Sequence, residues 1–250
     1  MRVVVFAAHP DDEVLGCGGT IARHSACGDD VFVVIAAEGM MARAKGNAGD
    51  HFEGQKRTLW ESARRAATVL GVKEVVHFGF PDNRMDGVEL LEIIRKVEES
   101  LAAYNPDIVY THYHGDLNID HSILSKAVVT ATRPLPHKLI TEIYAFEVPS
   151  STEWAFGLDH AGFRPNHFVG IESSLQRKID AMAFYSTEIR PFPHPRSPEA
   201  IRALAMRRGG QAGLKAAEAF MLLRRVLPEK EERISSDEVD NDYSQKSGTP

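Results

Sequence analysis

The sequence predicts an α/β protein in which helices cover both faces of a mostly parallel central sheet. Short, continuous β-branched runs alternate with longer amphipathic segments through the first half of the chain. The 250 residues suffice for one sizeable domain and are too few for two comfortable ones. Strands that alternate with helices form βαβ units with right-handed crossovers, so we expect a Rossmann-like three-layer fold.

The individual elements follow from apolar runs and from the residues that interrupt them. The predicted strands are Arg2–Ala8, Val31–Ala37, Glu74–Phe78, Asp107–Thr111, Leu139–Glu147 and Asn166–Ile171, and the first two resemble strands buried on both faces. The predicted helices are Asp11–Cys27, Phe52–Leu70, Val88–Tyr104, Asp120–Thr132, Leu175–Phe184 and Pro198–Leu227. The first two helices end at Gly28 and Gly71, as glycine at a helix end predicts. The glycine-rich, polar segment Gly39–Gly49 is interpreted as a mobile loop.

The charge is concentrated at the end of the chain. One domain is expected over residues 1–227, followed by an acidic tail over 228–250. From Glu229 onwards there are seven acids and three bases, and this tail is expected to be disordered. The tail carries −4 of the total charge of −6, so the body is near −2. A nearly neutral body argues against a nucleic-acid-binding protein.

We expect the protein to be cytoplasmic. No apolar run approaches the roughly 20 residues that span a bilayer, and Val3–Ala8 is too short for a signal-peptide core. Cys17 and Cys27 would lie roughly 15 Å apart along one helix, beyond the reach of a disulfide, so we expect two small buried side chains and not a redox pair. The loop residues Trp154 and Phe156 suggest an interface, so a homo-oligomer is a further expectation.

Two polar clusters follow predicted strand ends. His9–Glu13 comes after the first strand, and His112–His121 comes after Asp107–Thr111. In open α/β sheets, ligands bind beyond the carboxyl ends of the strands. Helix capping explains one acid of the first cluster, but it does not explain a histidine directly before a proline. A hydrolytic zinc has three protein ligands and an open water position, so both clusters together offer enough ligands for a metal site.

The motifs in these clusters resemble those of one enzyme family. They are Ala-His-Pro-Asp-Asp-Glu at 8–13, Leu-Gly-x-Gly-Gly at 15–19 and Asp-x-Asn-x-Asp-His at 116–121, with a weaker match in Ala-Glu-Ala-Phe at 217–220. With them the sequence resembles the PIG-L/LmbE-like family of zinc-dependent N-acetyl-sugar deacetylases. The resemblance implies an LmbE-like fold and an N-acetylated amino sugar, nucleotide sugar or glycoconjugate as substrate.

The resemblance also implies roles for four residues. His9, Asp12 and His121 would bind the metal, and Asp11 would be the general base. Zinc is expected, although two histidines and one aspartate also accept Fe²⁺ or another divalent metal. A bound metal lowers the pKa of its water towards ~7. Asp11 can then take a proton from that water and deliver it to the departing amine.

One position departs from some relatives, which carry an oxyanion-stabilising histidine three places before the last metal ligand. Here that position is Asn118, whose amide can donate a hydrogen bond but cannot act as a cationic acid. His194 is the first alternative for the missing charge, and a surface histidine in a rigid loop is the competing interpretation. Asp120 is expected to orient a ligand or to cap the following helix. Alternation predicts that His112 and His114 share one face, so both or neither should face the site.

The substrate contacts are predicted from position alone. Arg84 lies in a turn-rich segment after a predicted strand and is proposed to meet a phosphate or carboxylate of the substrate. Arg43 and Lys45 in the glycine-rich loop are proposed to reach the same substrate when the loop closes. An ordinary surface arginine is the competing interpretation of Arg84.

Three other functions are compatible with parts of the sequence. The glycines at 16–19 and Glu38 suggest a NAD-dependent oxidoreductase, but Ile21 occupies the place of the last glycine in G-x-G-x-x-G. Two histidines and a carboxylate also describe a non-haem iron oxygenase, although such sites usually occur on β-sandwich barrels. A catalytically inactive sugar-binding homologue is the third alternative, and the presence of Asp11 argues against it.

Overall fold

The computed structural model describes residues 1–38, 49–134, 139–157 and 162–229, and only the backbone of 49–56. Seven strands form one sheet: β1 (Arg2–Ala7), β2 (Asp30–Ala37), β3 (Glu74–Phe80), β4 (Ile108–His112), β5 (Glu142–Phe146), β6 (His167–Gly170) and β7 (Ala217–Arg225). The α-helices within these ranges are α1 (Asp12–Ala26), α2 (Gly49–Leu70), α3 (Leu90–Tyr104), α4 (Ile119–Ala131), α5 (Leu175–Met182) and α6 (Pro198–Gln211). Short 3₁₀ turns cover Met85–Gly87 and Thr152–Ala155.

The strand order in the sheet is β3-β2-β1-β4-β5-β7-β6. The first five strands are parallel to their neighbours, and β7 is antiparallel to both β5 and β6. The order reverses between β1 and β4, because the chain extends the sheet first to one side of β1 and then to the other. The predicted mostly parallel sheet is confirmed.

Helices cover both faces of this sheet. On one face Val3, Val5 and Ala7 of β1 pack in a core with residues of α1, α2, α5 and α6. On the other face Val4 and Phe6 pack with residues of α3 and α4. A strand buried on both sides needs apolar residues at every position, which is why β1 has no alternation. The predicted three-layer α/β fold is confirmed.

The glycines of α1 allow the helix to approach the sheet closely. An added Cβ at Gly16 would lie 2.3 Å from the Phe146 ring, and one at Gly19 would lie 2.8 Å from Ile171. The helix is also interrupted at Cys17, whose φ of −145° is not helical. These glycines therefore allow α1 to pack closely against Phe146 and Ile171.

One element differs from the prediction. The helix expected over Pro198–Leu227 ends at Gln211, and Ala217–Arg225 forms the antiparallel strand β7. Gly213 has a left-handed φ of +72°, which reverses the chain after the helix. The backbone after Gly213 passes so close to Gly209 that a Cβ there would lie 2.6 Å from the carbonyl oxygen of Leu214. The prediction of a helix beyond Gln211 is therefore wrong.

Several expectations concern the surface and the ends of the chain. Both cysteines are free, with Cys17 buried and Cys27 exposed, so the expectation that both are buried holds for Cys17 alone. None of the helices within the described ranges is long and apolar enough to cross a membrane. Residues 39–48 and 230–250 lie outside the described residues, so the loop and most of the acidic tail remain predictions.

Candidate active site

The two polar clusters meet at the carboxyl ends of β1 and β4. His9 comes two residues after β1, His112 is the last residue of β4, and His121 lies in the first turn of α4. Because β1 and β4 are neighbours at the point where the strand order reverses, the clusters lie at the topological switch point of the sheet.

Three side chains converge within hydrogen-bond distance of one another. Oδ2 of Asp12 lies 3.2 Å from Nδ1 of His9 and 3.1 Å from Nε2 of His121. The two histidine nitrogens are 3.3 Å apart. Two ligand atoms bound to the same tetrahedral zinc are roughly 3.3–3.4 Å apart. The spacing and chemistry of this group therefore fit one divalent metal.

The charges around the two histidines favour a positive charge at the same point. Although burial lowers it, hydrogen bonds to Asp12 and Asp120 raise the pKa of His9 to about 10. Burial also lowers the pKa of His121, but the nearby Asp12 and Asp116 raise it to about 9. These carboxylates stabilise protons on the imidazoles, and they would stabilise a bound cation for the same reason.

Each histidine also contacts a carboxylate with its other nitrogen. Oδ2 of Asp120 lies 3.0 Å from Nε2 of His9 and accepts a 2.7 Å hydrogen bond from the backbone N–H of Asn83. Oδ1 of Asp116 lies 3.0 Å from Nδ1 of His121. Such carboxylates fix the tautomer and orientation of an imidazole that binds metal.

Asp11 lies beside this group and is almost completely buried. It precedes α1 with a φ of 116°, and its side chain makes no capping hydrogen bond. Oδ2 of Asp11 lies 2.7 Å from Nη1 of Arg196. Burial raises the pKa of Asp11 well above its usual value, although Arg196 opposes this shift.

A polar cleft of about 140 Å³ opens above these residues. It contains part of the predicted site together with side chains that we did not predict. Its lining consists of His9, Pro10, Asp11, Asp82, Asn83, Asn118, His121, Ser150, Ser151, Glu188 and Arg196. Asp12 is not among the residues that line the cleft, and it is 1% exposed.

Asn118 lines the cleft and also caps α4. Its Oδ1 accepts a 2.9 Å hydrogen bond from the backbone N–H of Asp120, so Asn118 and not Asp120 provides the N-cap. Its Nδ2 donates a 2.9 Å hydrogen bond to Oδ1 of Asn83. Both contacts fix the amide at the edge of the cleft.

His194 lies near the cleft but is not among the residues that line it. Its Nδ1 accepts a 3.1 Å hydrogen bond from the backbone N–H of Arg196, and its ring packs edge-on against Trp154. Partial burial and the charge of Arg196 lower the pKa of His194, which disfavours its protonated form. The arginine that lines the cleft is Arg196, two residues further along the chain.

The predicted substrate residues are less closely associated with the site. Arg84 is exposed and is absent from the lining, although its neighbour Asn83 belongs to it. Arg43 and Lys45 lie outside the described residues. Trp154 and Phe156 are both exposed, at 36% and 86%. Their roles remain predictions.

His112 and His114 do not share one environment, contrary to the prediction. His112 is fully buried, its Nε2 accepts a 2.8 Å hydrogen bond from the backbone N–H of Ala8, and its ring stacks on His121. His114 is exposed and packs edge-on against Tyr113. Strict alternation applies only within a strand, and β4 ends at His112.

Sequence reasoning missed several residues that contact the predicted site, including Asp82, whose Oδ1 lies 3.2 Å from Nε2 of His9. Arg196 and Glu188 belong to the segment between α5 and α6, and Asp116 precedes α4. Arg196 was visible in Pro-His-Pro-Arg at 193–196, and Asp116 opened a recognised motif. No sequence pattern pointed to Glu188.

Solved structures with the same fold carry different activities. The chain superposes on N,N'-diacetylchitobiose deacetylase from Pyrococcus horikoshii with a TM-score of 0.71, 20% identity, and coverage of 89% of this chain and 83% of that one. GalB, the 4-carboxy-2-hydroxymuconate hydratase of Pseudomonas putida, gives a TM-score of 0.73 with 24% identity, and coverage of 92% and 98%. At these identities the likeness establishes the fold alone.

Sequence comparison identifies the family. Residues 4–132 match the model described as PIG-L, GlcNAc-PI de-N-acetylase. Diacetylchitobiose deacetylase from Thermococcus kodakarensis is 25% identical over 224 residues, which cover 88% of this chain and 82% of the relative. The matched region includes the three converging side chains and Asp11, and the chain belongs to the PIG-L family.

Proposed function

We propose that this protein is a metal-dependent N-deacetylase that hydrolyses the acetamide of an N-acetylated amino sugar, nucleotide sugar or glycoconjugate. One observation carries the proposal: His9, Asp12 and His121 converge beside the buried carboxylate of Asp11 at the base of a polar cleft. The deacetylase relatives support an acetamide of a sugar as the bond that is cleaved.

The three converging side chains would hold the metal, which we propose to be zinc. When bound, it would supply Lewis acidity that acidifies water and polarises the acetamide carbonyl. Fe²⁺ or another divalent metal also suits two histidines and one carboxylate. Asp120 would keep Nδ1 of His9 directed to the metal by holding Nε2 of the same ring.

Asp11 would act as the general base and then as the general acid. It would accept a proton from the attacking water and return it to the amine as the carbon–nitrogen bond breaks. One water and one acetamide thus give one acetate and one amine.

We assign Asn118 to the developing oxyanion. One hydrogen of its Nδ2 is donated to Asn83, and the amide carries a second one. His194 remains a proposed helper whose lowered pKa counts against a cationic role. Arg84 and Arg43 remain proposed contacts to an anionic part of the substrate.

Acetate release tests this function directly. The purified protein is incubated with free, disaccharide, nucleotide-linked and lipid-linked N-acetylglucosamine, with and without a chelator. We expect acetate from at least one substrate, loss of release with the chelator, and recovery when one equivalent of Zn²⁺ or Fe²⁺ is returned. Release that survives metal removal would contradict the metal-dependent mechanism.

Two further measurements, calorimetry and oxygen consumption, distinguish the alternative functions. A substrate that binds in calorimetry without acetate release, with one equivalent of metal present, would indicate an inactive sugar-binding homologue. The oxidoreductase alternative lacks support, since Gly16 and Gly19 pack against Phe146 and Ile171. Oxygen consumption with a 2-oxo acid would instead favour an iron oxygenase.

A further inference from the structure

We propose that Arg196 and the pair Glu13–Tyr185 are positioning residues that hold Asp11 in the orientation that proton transfer needs. This inference rests on the proposed function, in which Asp11 is the general base. Two separate contacts carry it, one to the side chain of Asp11 and one to its backbone.

Asp11 has a conformation that neighbouring groups must maintain. Its φ of 116° lies in the left-handed region, which residues with a Cβ rarely adopt. Such residues occur at functional sites when the surrounding structure fixes them. Asp11 is also 3% exposed, so its neighbours and not solvent determine its orientation.

Glu13 and Tyr185 hold the backbone of Asp11. The backbone N–H of Asp11 donates a 3.0 Å hydrogen bond to Oε2 of Glu13. The hydroxyl of Tyr185 donates a 2.5 Å hydrogen bond to Oε1 of the same carboxylate. Glu13 is 3% exposed and Tyr185 is completely buried, so water does not compete for either of these hydrogen bonds.

Arg196 holds the side chain of Asp11. Its Nη1 lies 2.7 Å from Oδ2 of Asp11 and 3.1 Å from Oε2 of Glu188, and its Nε donates a 2.7 Å hydrogen bond to Oγ of Ser150. The guanidinium is thus fixed on two edges. Because Arg196 holds Oδ2, Oδ1 of Asp11 would be the oxygen that receives the proton.

Apart from Glu13, the residues that hold Asp11 come from a different part of the chain than the predicted ligands. Tyr185, Glu188 and Arg196 lie between α5 and α6, well beyond residue 132, where the family match ends. Arg196 is 185 residues from Asp11 in sequence. The C-terminal third therefore contributes to the site by orienting a residue of the first motif.

Substitution of Arg196 tests the proposal in the metal-loaded, full-length enzyme. For Arg196→Gln we expect kcat to fall by about 10²-fold, since a small misplacement of a reacting group has that effect. KM should change little and the metal content should stay at the wild-type value. Guanidinium ion added to the Arg196→Gln variant should restore part of kcat, which a structural defect would not allow.

Two further variants accompany this test. Tyr185→Phe removes one hydroxyl, retains the packing, and should lower kcat in the same direction with KM unchanged. Arg202→Gln on α6 is the matched control, because Arg202 is exposed and contacts Gln176 away from the cleft. An unchanged kcat in Arg196→Gln, or a raised KM alone, would overturn the positioning role.

A thermal-unfolding cycle decides whether the contact exists without relying on activity. Asp11→Asn, Arg196→Gln and the double variant are compared by Tm. If the two side chains interact, the fall in Tm of the double variant should be smaller than the sum of the falls in the two single variants. Additive losses would overturn the proposal. A wild type that releases no acetate, together with a non-additive cycle, would refute the proposed function and leave the contact supported.

Discussion

Asp11 combines three features that none of its neighbours shows together. It is buried, its backbone is strained, and the guanidinium of Arg196 contacts one of its carboxylate oxygens. Asp12 is equally buried, but both histidines and the backbone N–H of His9 contact its carboxylate. The adjacent carboxylates are therefore suited to different tasks, Asp12 to holding a cation and Asp11 to moving a proton.

Asp11→Asn should separate these tasks. We expect kcat to fall by about 10²–10⁴-fold because the amide cannot accept the proton. The metal content should not change, since Asp11 is not among the three converging residues. Acetate release and metal analysis of the same preparation measure both quantities. Asp86→Asn, at an exposed acid, is the control, and an active Asp11→Asn enzyme would refute the role of Asp11.

The sequence reveals some residues of this site better than others. His9, Asp11 and Asp12 are adjacent in one motif directly after a buried strand, so local sequence suffices to predict them. Arg196 reaches the site only through the folding of a distant segment, and its own surroundings resemble an ordinary proline-rich loop. No local pattern encodes a contact across 185 residues.

At the scale of elements, helix α1 links the site to the core. Its first turn carries Asp12, and its glycines bring the same helix close to Phe146 and Ile171. The approach is possible because Gly16 and Gly19 have no side chain. The position of Asp12 therefore depends on packing one turn further along.

Gly16→Ala should destabilise the protein by about 1–3 kcal/mol, as overpacking of a core does. The new Cβ would lie 2.3 Å from the Phe146 ring, and that ring is completely buried. Gly210→Ala is the matched control in α6, where no atom lies within 4 Å of the new Cβ. There the same change should stabilise by about 0.5–1 kcal/mol. Urea unfolding measures both stability changes, and a change of the same sign in the two variants would contradict the packing argument.

The elements of the parallel sheet were predictable because each is local. A buried strand has continuous apolar residues, and each helix has its own periodicity. The strand β7 was not predictable in this way, since it begins with Ala-Glu-Ala-Phe at 217–220, and alanine and glutamate favour a helix over a strand. Its pairing with β5 and β6 involves residues far away in sequence, and that pairing determines its conformation.

At the scale of the whole molecule, a buried ion pair joins α5 to the strand β7, and both of its partners also form hydrogen bonds with α1. Nζ of Lys178 lies 2.6 Å from Oε1 of Glu218 and donates a 2.8 Å hydrogen bond to the carbonyl oxygen of Leu15. The backbone N–H groups of Gly19 and Thr20 donate to the same carboxylate. Since α1 is interrupted at Cys17, Glu218 satisfies N–H groups that begin a second helical segment.

This arrangement makes the fold dependent on the C-terminal strand. Glu218→Gln should lower the free energy of unfolding by about 3–5 kcal/mol, because it leaves a buried ammonium without its countercharge. The double variant Glu218→Gln with Lys178→Met should lose less unfolding free energy than Glu218→Gln alone, since no unpaired charge remains. Glu172→Gln, which removes an exposed partner of Lys215, should leave stability near the wild-type value. Urea unfolding of the four proteins measures these effects, and a Glu218→Gln variant as stable as wild type would show that the last strand is not held to α1 by this charge.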